Sequence, residues 1–449
     1  MTICSARIPG VFARLPGRGL CWLAALVVAG CASQAPLTTT ETTPPPAPTI
    51  PTVVEAPAPA LTRTPRTLSD EGFQRWVQAF RADAQAQGIS EATLRSTLDP
   101  VRLQSRIIQN DRNQSEYVRP VWAYLDTAVS AQRIRMGRNR LTELQTAGVF
   151  GSDPARVPDA ILVAIWGMET SYGSHLGSMR VMDALATLAY EGRREAWARG
   201  ELLAALRLVE QGEVSAEQLV GSWAGAMGQT QFMPSTYLAH AVDGDGDGRR
   251  DLWGSVPDAL ASTAHYLRQS GWRADEPCLT EVVLPPGFDP ALAESDIRRP
   301  SAAWAEAGVR PIDPASPMPT LQAASLLLPA GLQGPAFMVG DNFRAVLRYN
   351  MANSYALAVC LLARHMEGAP GVQTAWPRHL QLLTRQDIIT LQATLNRLGF
   401  QAGEPDGVAG PATRRALRAW QRTQGLPADG FVSAEVLARM GLSGAEAMR

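Results

Sequence analysis

Pro158-Asp159-Ala160-Ile161-Leu162-Val163-Ala164-Ile165-Trp166-Gly167-Met168-Glu169-Thr170-Ser171-Tyr172-Gly173 decides how this chain folds. Pro158 suits a first helical turn, and Ile161, Leu162, Val163, Ile165, Trp166 and Met168 are apolar on every side. A helix apolar all round is buried, and Gly173 is placed to terminate it. Glu169 therefore stands at the end of a buried helix. Desolvation and the negative end of the helix dipole both disfavour its carboxylate. A raised pKa is the expectation, as a general acid working near neutral pH requires. A buried glutamate paired with an arginine for structural reasons fits the same residues, so chemistry and structure both stay open here.

The second informative stretch is Gly221-Ser222-Trp223-Ala224-Gly225-Ala226-Met227-Gly228-Gln229-Thr230-Gln231-Phe232-Met233-Pro234-Ser235. Its small residues allow a backbone to approach a ligand closely. Gln229, Thr230 and Gln231 add neutral hydrogen-bonding groups beside the apolar faces of Trp223, Phe232 and Met233, which suits a carbohydrate. The same glycines would also serve a tight helix–helix crossing.

Around these stretches the chain divides by composition. Its 449 residues suggest two or three domains, and 46% hydrophobic with 18% charged residues is an ordinary globular mixture. A net charge of -1 speaks against a nucleic-acid binder. Residues 1–30 read as a secretory signal: Arg7, Arg14 and Arg18 precede a short apolar run from Leu20 to Val28. Val28-Ala29-Gly30-Cys31 resembles a bacterial lipobox, which implies lipidation of Cys31 and anchoring by more than one acyl chain. Ser33 is not the aspartate associated with inner-membrane retention, so the expected location is the outer membrane, facing the periplasm. Residues 31–67 are Thr/Pro/Ala-rich and expected to form an extended tether. Cys278 and Cys360 are then the remaining cysteines, either a disulfide in an oxidising compartment or two buried thiols.

From residue 68 the periodicity predicts a mainly α domain reaching residue 378. The first helix carries Phe73, Trp76, Val77 and Phe80 on one face, and others fall near 90–98, 115–147, 158–170, 180–190, 194–211, 215–222 and 256–270. Residues 275–340 are proline-rich with short β-like runs, a small insert, before helices at 343–349 and 355–365. Residues 384–443 form a second compact module, its core expected from Leu391, Leu395, Leu398, Leu417, Trp420 and Leu437.

Asp243-Gly244-Asp245-Gly246-Asp247-Gly248-Arg249-Arg250-Asp251 begins like an EF-hand loop, with carboxylates at alternating positions and a glycine at the sixth. Asp243, Asp245, Asp247, the Arg249 carbonyl and Asp251 are candidate Ca2+ ligands. Gly254 stands where the usual glutamate would be, and Asp258 is placed to close a longer loop. Any metal here is expected to be structural, with no evident link to Glu169.

Gly167-Met168-Glu169-Thr170-Ser171-Tyr172-Gly173, Ala224-Gly225-Ala226-Met227-Gly228 and Gln231-Phe232-Met233-Pro234-Ser235, followed by Asn342-Phe343-Arg344, Arg348-Tyr349-Asn350 and Tyr355-Ala356-Leu357-Ala358-Val359, resemble the membrane-bound lytic murein transglycosylase B family, glycoside hydrolase family 103. The resemblance implies a lysozyme-like helical core. It implies cleavage of the β-1,4 bond between N-acetylmuramic acid and N-acetylglucosamine with formation of a 1,6-anhydro ring, and needs no catalytic cofactor. Glu169 matches the family's catalytic acid and base, while Ser222, Gln231, Asn350 and Tyr355 match residues lining the cleft. Residues 384–443 resemble the three-helix peptidoglycan-binding domain, through Pro405-Asp406-Gly407, Gly410-Pro411-Ala412-Thr413 and Trp420-Gln421. The implied partner is the glycan strand, met by a monomer. A hydrolytic muramidase and a non-catalytic wall-anchoring lipoprotein are the competing readings.

Overall fold

A computed structural model describes residues 68–112, 120–151, 156–380 and 383–442. The signal, Cys31, the tether and Ser443 lie outside the described residues. The chain from residue 68 is mainly helical, with a small antiparallel insert and a C-terminal three-helix module, as the residue pattern predicts.

The N-terminal half holds α1 (Asp70–Ala86), α2 (Glu91–Leu98), α3 (Ser105–Arg112), α4 (Val121–Ala128), α5 (Ala131–Thr146) and α6 (Asp159–Thr170). Ser69 caps α1 by accepting from the Gly72 N–H at 3.1 Å. Phe73, Val77, Phe80 and Ala84 are its buried stripe, with Trp76 stacked on Phe80. The single helix expected over 115–147 is instead α4 and α5, because Ser130 turns the chain out and caps the second by accepting from Arg133 N. The periodicity missed α3: its sequence is mostly polar, and Ile107 and Ile108 alone give it an apolar side.

Next come β1 (Met179–Arg180), α7 (Val181–Glu191), α8 (Glu195–Glu210), β2 (Val220–Gly221), α9 (Pro234–His240) and α10 (Val256–Gln269). The helix expected at 215–222 does not form. Ser215 and Gln218 bond to each other's backbone in a closed turn, and Val220–Gly221 then pairs antiparallel with Met179–Arg180. The insert contains β3 (Thr280–Val283), α11 (Ser301–Glu306), β4 (Arg310–Pro311), β5 (Ser325–Leu327), β6 (Pro329–Leu332) and β7 (Ala336–Val339). Its sheet runs in the order β4-β3-β7-β5 over a separate core of Val282, Trp304, Leu321, Leu326 and Met338. Then α12 (Asp341–Tyr349) and α13 (Asn353–Met366) return to the main core.

Two apolar cores carry the helical body. One surrounds α1, α7 and α8; the other is built on α6 packed against α13, both almost wholly buried. Cys278 and Cys360 form a disulfide that fastens the start of the insert to α13. Pairing, left open by the sequence, is thus the arrangement adopted.

The C-terminal module is α14 (Arg385–Arg397), α15 (Pro411–Thr423) and α16 (Ala434–Arg439). Leu391, Leu395, Leu417, Trp420 and Leu437 form its core as expected. Leu398 does not: it caps the end of α14 and is 48% exposed. The module rests on the body. Arg418 pairs with Glu294, the Asp429 carboxylate accepts from Leu332 N at 3.2 Å, and Phe431 packs with Trp122. Among the described residues no helix is long and apolar enough to cross a membrane.

Candidate active site

The site begins with how α6 ends. Asp159 to Gly167 are buried, as an all-apolar helix demands, and Glu169 follows in the last turn, half-buried. Termination is earlier and sharper than Gly173 alone would give. Ser171 and Tyr172 take left-handed backbone at φ 50° and 60°, before Gly173 at 82°. Among the described residues, Gln231 is the one other non-glycine with positive φ, at 52°. Left-handed non-glycine residues cost about 1–3 kcal/mol each and persist where the surroundings impose them. Here all three belong to the two segments that the sequence singled out.

What imposes the turn is visible. The Tyr172 hydroxyl donates to the Arg133 carbonyl at 2.8 Å, and its ring lies edge-on to Trp166. That ring covers Gly167 so closely that a Cβ there would lie 2.5 Å from its carbons. A G167A variant is expected to lose about 1–3 kcal/mol by overpacking, read from urea unfolding, and to lose activity through displacement of the helix end.

Tyr355, buried near the start of α13, donates its hydroxyl to Glu169 Oε1 at 2.5 Å. Burial first, and then the charge of Glu169, raise the Tyr355 pKa well above the ordinary phenol value. Tyr349 at the end of α12 is raised for the same two reasons, in the same order. Both phenols therefore stay protonated and remain donors. Tyr349 donates to the Thr230 carbonyl and packs against Tyr266 and Phe232. The sequence offered Tyr349 only as the middle of Arg348-Tyr349-Asn350, with no sign that it faces the acid.

The other residues expected in the cleft, Ser222, Gln231 and Asn350, bond to nearby backbone. Ser222 accepts from Ala226 N at 3.0 Å and Ala224 N at 3.3 Å, shaping the loop after β2. Gln231 donates to the Leu176 and Gly228 carbonyls, joining the loop after α6 to the glycine-rich segment. Asn350 accepts from Ala352 N at 3.1 Å where α13 begins. All three side chains are half-buried. Gln229 is different from the sequence expectation: it is buried, and both ends of its amide are used within the protein.

In the acidic loop, Asp243, Asp245 and Asp258 bring carboxylate oxygens within 4.8 Å of one another. Ca2+ takes oxygen donors at about 2.3–2.6 Å, so ligands across it stand up to about 5 Å apart, and this set fits a hard cation. Asp258 is fully buried and accepts from Gly244 N, Asp245 N and Asp251 N, folding the loop over itself. Asp247 and Asp251 are outside that group: Asp247 accepts from Arg249 N, and Asp251 from Trp253 N and Gly254 N.

Known proteins share this fold and sequence. Residues 72–364 match the Transglycosylase SLT domain family, and residues 384–440 match a peptidoglycan binding domain. Membrane-bound lytic murein transglycosylase B of Escherichia coli is 38% identical over 215 residues, 46% of this chain and 56% of that protein, so the chain spans about half the length of this curated relative. A crystal structure of SltB3 from Pseudomonas aeruginosa, in complex with NAG-anhNAM-pentapeptide, superposes with a TM-score of 0.77 at 47% identity, covering 82% of this chain and 99% of that one. Escherichia coli Slt35 in complex with calcium superposes at 0.56 with 28% identity, over 67% of this chain and 93% of its own. With a family match running from α1 into α13, and a relative of 47% identity covered almost end to end, this chain belongs to the SLT-domain transglycosylases.

Proposed function

We propose that the protein is a lytic murein transglycosylase that cleaves the β-1,4 bond between N-acetylmuramic acid and N-acetylglucosamine and releases 1,6-anhydromuramoyl ends. The observation that carries this is the Glu169 carboxyl, held at the strained end of a buried helix by the Tyr355 phenol. Glu169 protonates the departing glycosidic oxygen as the bond to the muramoyl C1 breaks. Its carboxylate, steadied by the Tyr355 hydroxyl, then takes the proton of the muramoyl C6 hydroxyl, whose oxygen closes on C1. Ordinary glycosidases flank the bond with two carboxylates. An intramolecular nucleophile makes the second unnecessary, and none occurs in the motifs around Glu169. The anhydro sugar bound to SltB3 is a product of this kind, which supports the reading. Digested sacculi should release soluble fragments without gaining reducing ends; a matching rise in reducing ends would favour the hydrolytic muramidase.

The enzyme is a monomer, anchored in the outer membrane by acylated Cys31 and carried on the 31–67 tether, with residues 384–443 holding peptidoglycan. A C31A variant should move from the membrane to the soluble fraction. Asp243, Asp245 and Asp258 hold a structural Ca2+, which neutralises a crowded acidic loop; the calcium in the Slt35 crystal supports this. Ca2+ at about 100 times its Kd should stabilise the fold by about 2.7 kcal/mol, seen as a rise in Tm that EDTA reverses and D243N removes. An unchanged Tm would count against the site.

A further inference from the structure

We infer that Gln229 is a positioning residue, which ties the last turn of α6, and with it Glu169, to the Leu252–Trp253 segment closing the acidic loop. The inference rests on Glu169 being the acid of the proposed reaction. Four bonds make the tie. The Gln229 Oε1 accepts from the Trp166 indole N–H at 2.9 Å, and its Nε2 donates to the Trp253 carbonyl at 3.0 Å. Its backbone N–H donates to the Leu252 carbonyl at 2.7 Å, and its backbone carbonyl accepts from the Thr170 hydroxyl at 2.6 Å. Thr170, next to Glu169, in turn accepts from Gly173 N at 3.1 Å and so fixes the turn that ends the helix.

Several features set this apart from a glutamine that merely fills space. Trp166, Thr170 and Gln229 are all buried, so the bonds among them form where water cannot replace them, while the bond to the half-buried Trp253 lies nearer the surface. Gly173 leaves room for the amide: a Cβ there would lie 2.5 Å from Gln229 Oε1. The far end is anchored too. Asp258 holds Asp251 N at 2.7 Å, and Asp251 holds Trp253 N at 2.9 Å, which fixes the carbonyl that Gln229 reaches. A hydrogen-bonded chain therefore runs from the acidic loop to the residue beside Glu169. The sequence showed no link between them, because it depends on a carbonyl at Trp253 and an amide at Gln229 that meet only in the fold.

The reacting proton must be delivered within about an ångström, and a displacement of that size costs about a hundredfold in rate. Q229M keeps the volume and removes both amide bonds. T170V keeps the shape and removes the hydroxyl, while T170S retains it. With soluble glycan chains as substrate, well below each variant's Tm, Q229M and T170V should each lower kcat by about tenfold or more with KM within about threefold. T170S should return kcat to within about threefold of wild type. If both Q229M and T170V keep wild-type kcat per folded molecule, with only Tm lowered, Gln229 is a packing residue and the inference fails. If the wild-type enzyme itself makes no anhydro ends, the proposed function fails instead.

Discussion

E169Q should slow clearance of purified sacculi by about a thousandfold, within the range that a lost general acid and base costs. Glutamine keeps the length and volume of the side chain, and its amide oxygen still accepts from the Tyr355 hydroxyl that reaches Glu169 at 2.5 Å. What it cannot do is give a proton to the glycosidic oxygen and then take one from the C6 hydroxyl. The loss should appear in kcat, with Tm close to wild type and binding to sacculi retained. That combination separates chemistry from a structural glutamate, whose replacement would lower Tm while leaving turnover per folded molecule intact. Clearance at the wild-type rate would show that Glu169 is not the acid of the reaction, and no clearance even by the wild-type protein would leave the wall-anchoring reading.

Removing the disulfide should have the largest effect on stability. Cys278 and Cys360 are 82 residues apart, and closing a loop of that size is worth about 4.5 kcal/mol in the chain-entropy description. Domains are stable by about 5–15 kcal/mol in total, so C278S/C360S should shift the urea midpoint strongly. Activity should fall with it near physiological temperature, since Cys360 lies one and a half turns beyond Tyr355 on α13. Such a bond persists in an oxidising compartment, so reducing agent should lower the wild-type midpoint toward that of the double variant. An unchanged midpoint would mean that packing of α13 against α6 holds the region without the link.

The sequence and the structure agree most where one side chain pattern decides the outcome. An unbroken apolar run could only be a buried helix, so α6 and the place of Glu169 at its end were legible. Its termination was not. Ser171 and Tyr172 turn left-handed because the Tyr172 ring must cover Gly167 and its hydroxyl must reach Arg133, residues remote in sequence or hidden by burial. The false helix at 215–222 has the same origin, since the partner of Val220–Gly221 lies forty residues earlier, at Met179–Arg180. Tyr355, matched by the motif only to a cleft-lining position, bonds to Glu169, whereas Ser222, Gln231 and Asn350 act on nearby backbone. Gln229 looked like a sugar ligand by composition and is instead spent inside the protein. Polar type tells what a side chain can bond to, but only the fold tells what is already bonded.

In the proposed reaction Glu169 drives ring closure by the substrate's own C6 hydroxyl and not attack by water. Mass spectrometry of the muropeptides released in 18O-labelled water distinguishes the two. Anhydromuramoyl ends are expected, each one water lighter than a reducing end and free of the label. Reducing muramic acid ends that carry 18O would contradict ring closure.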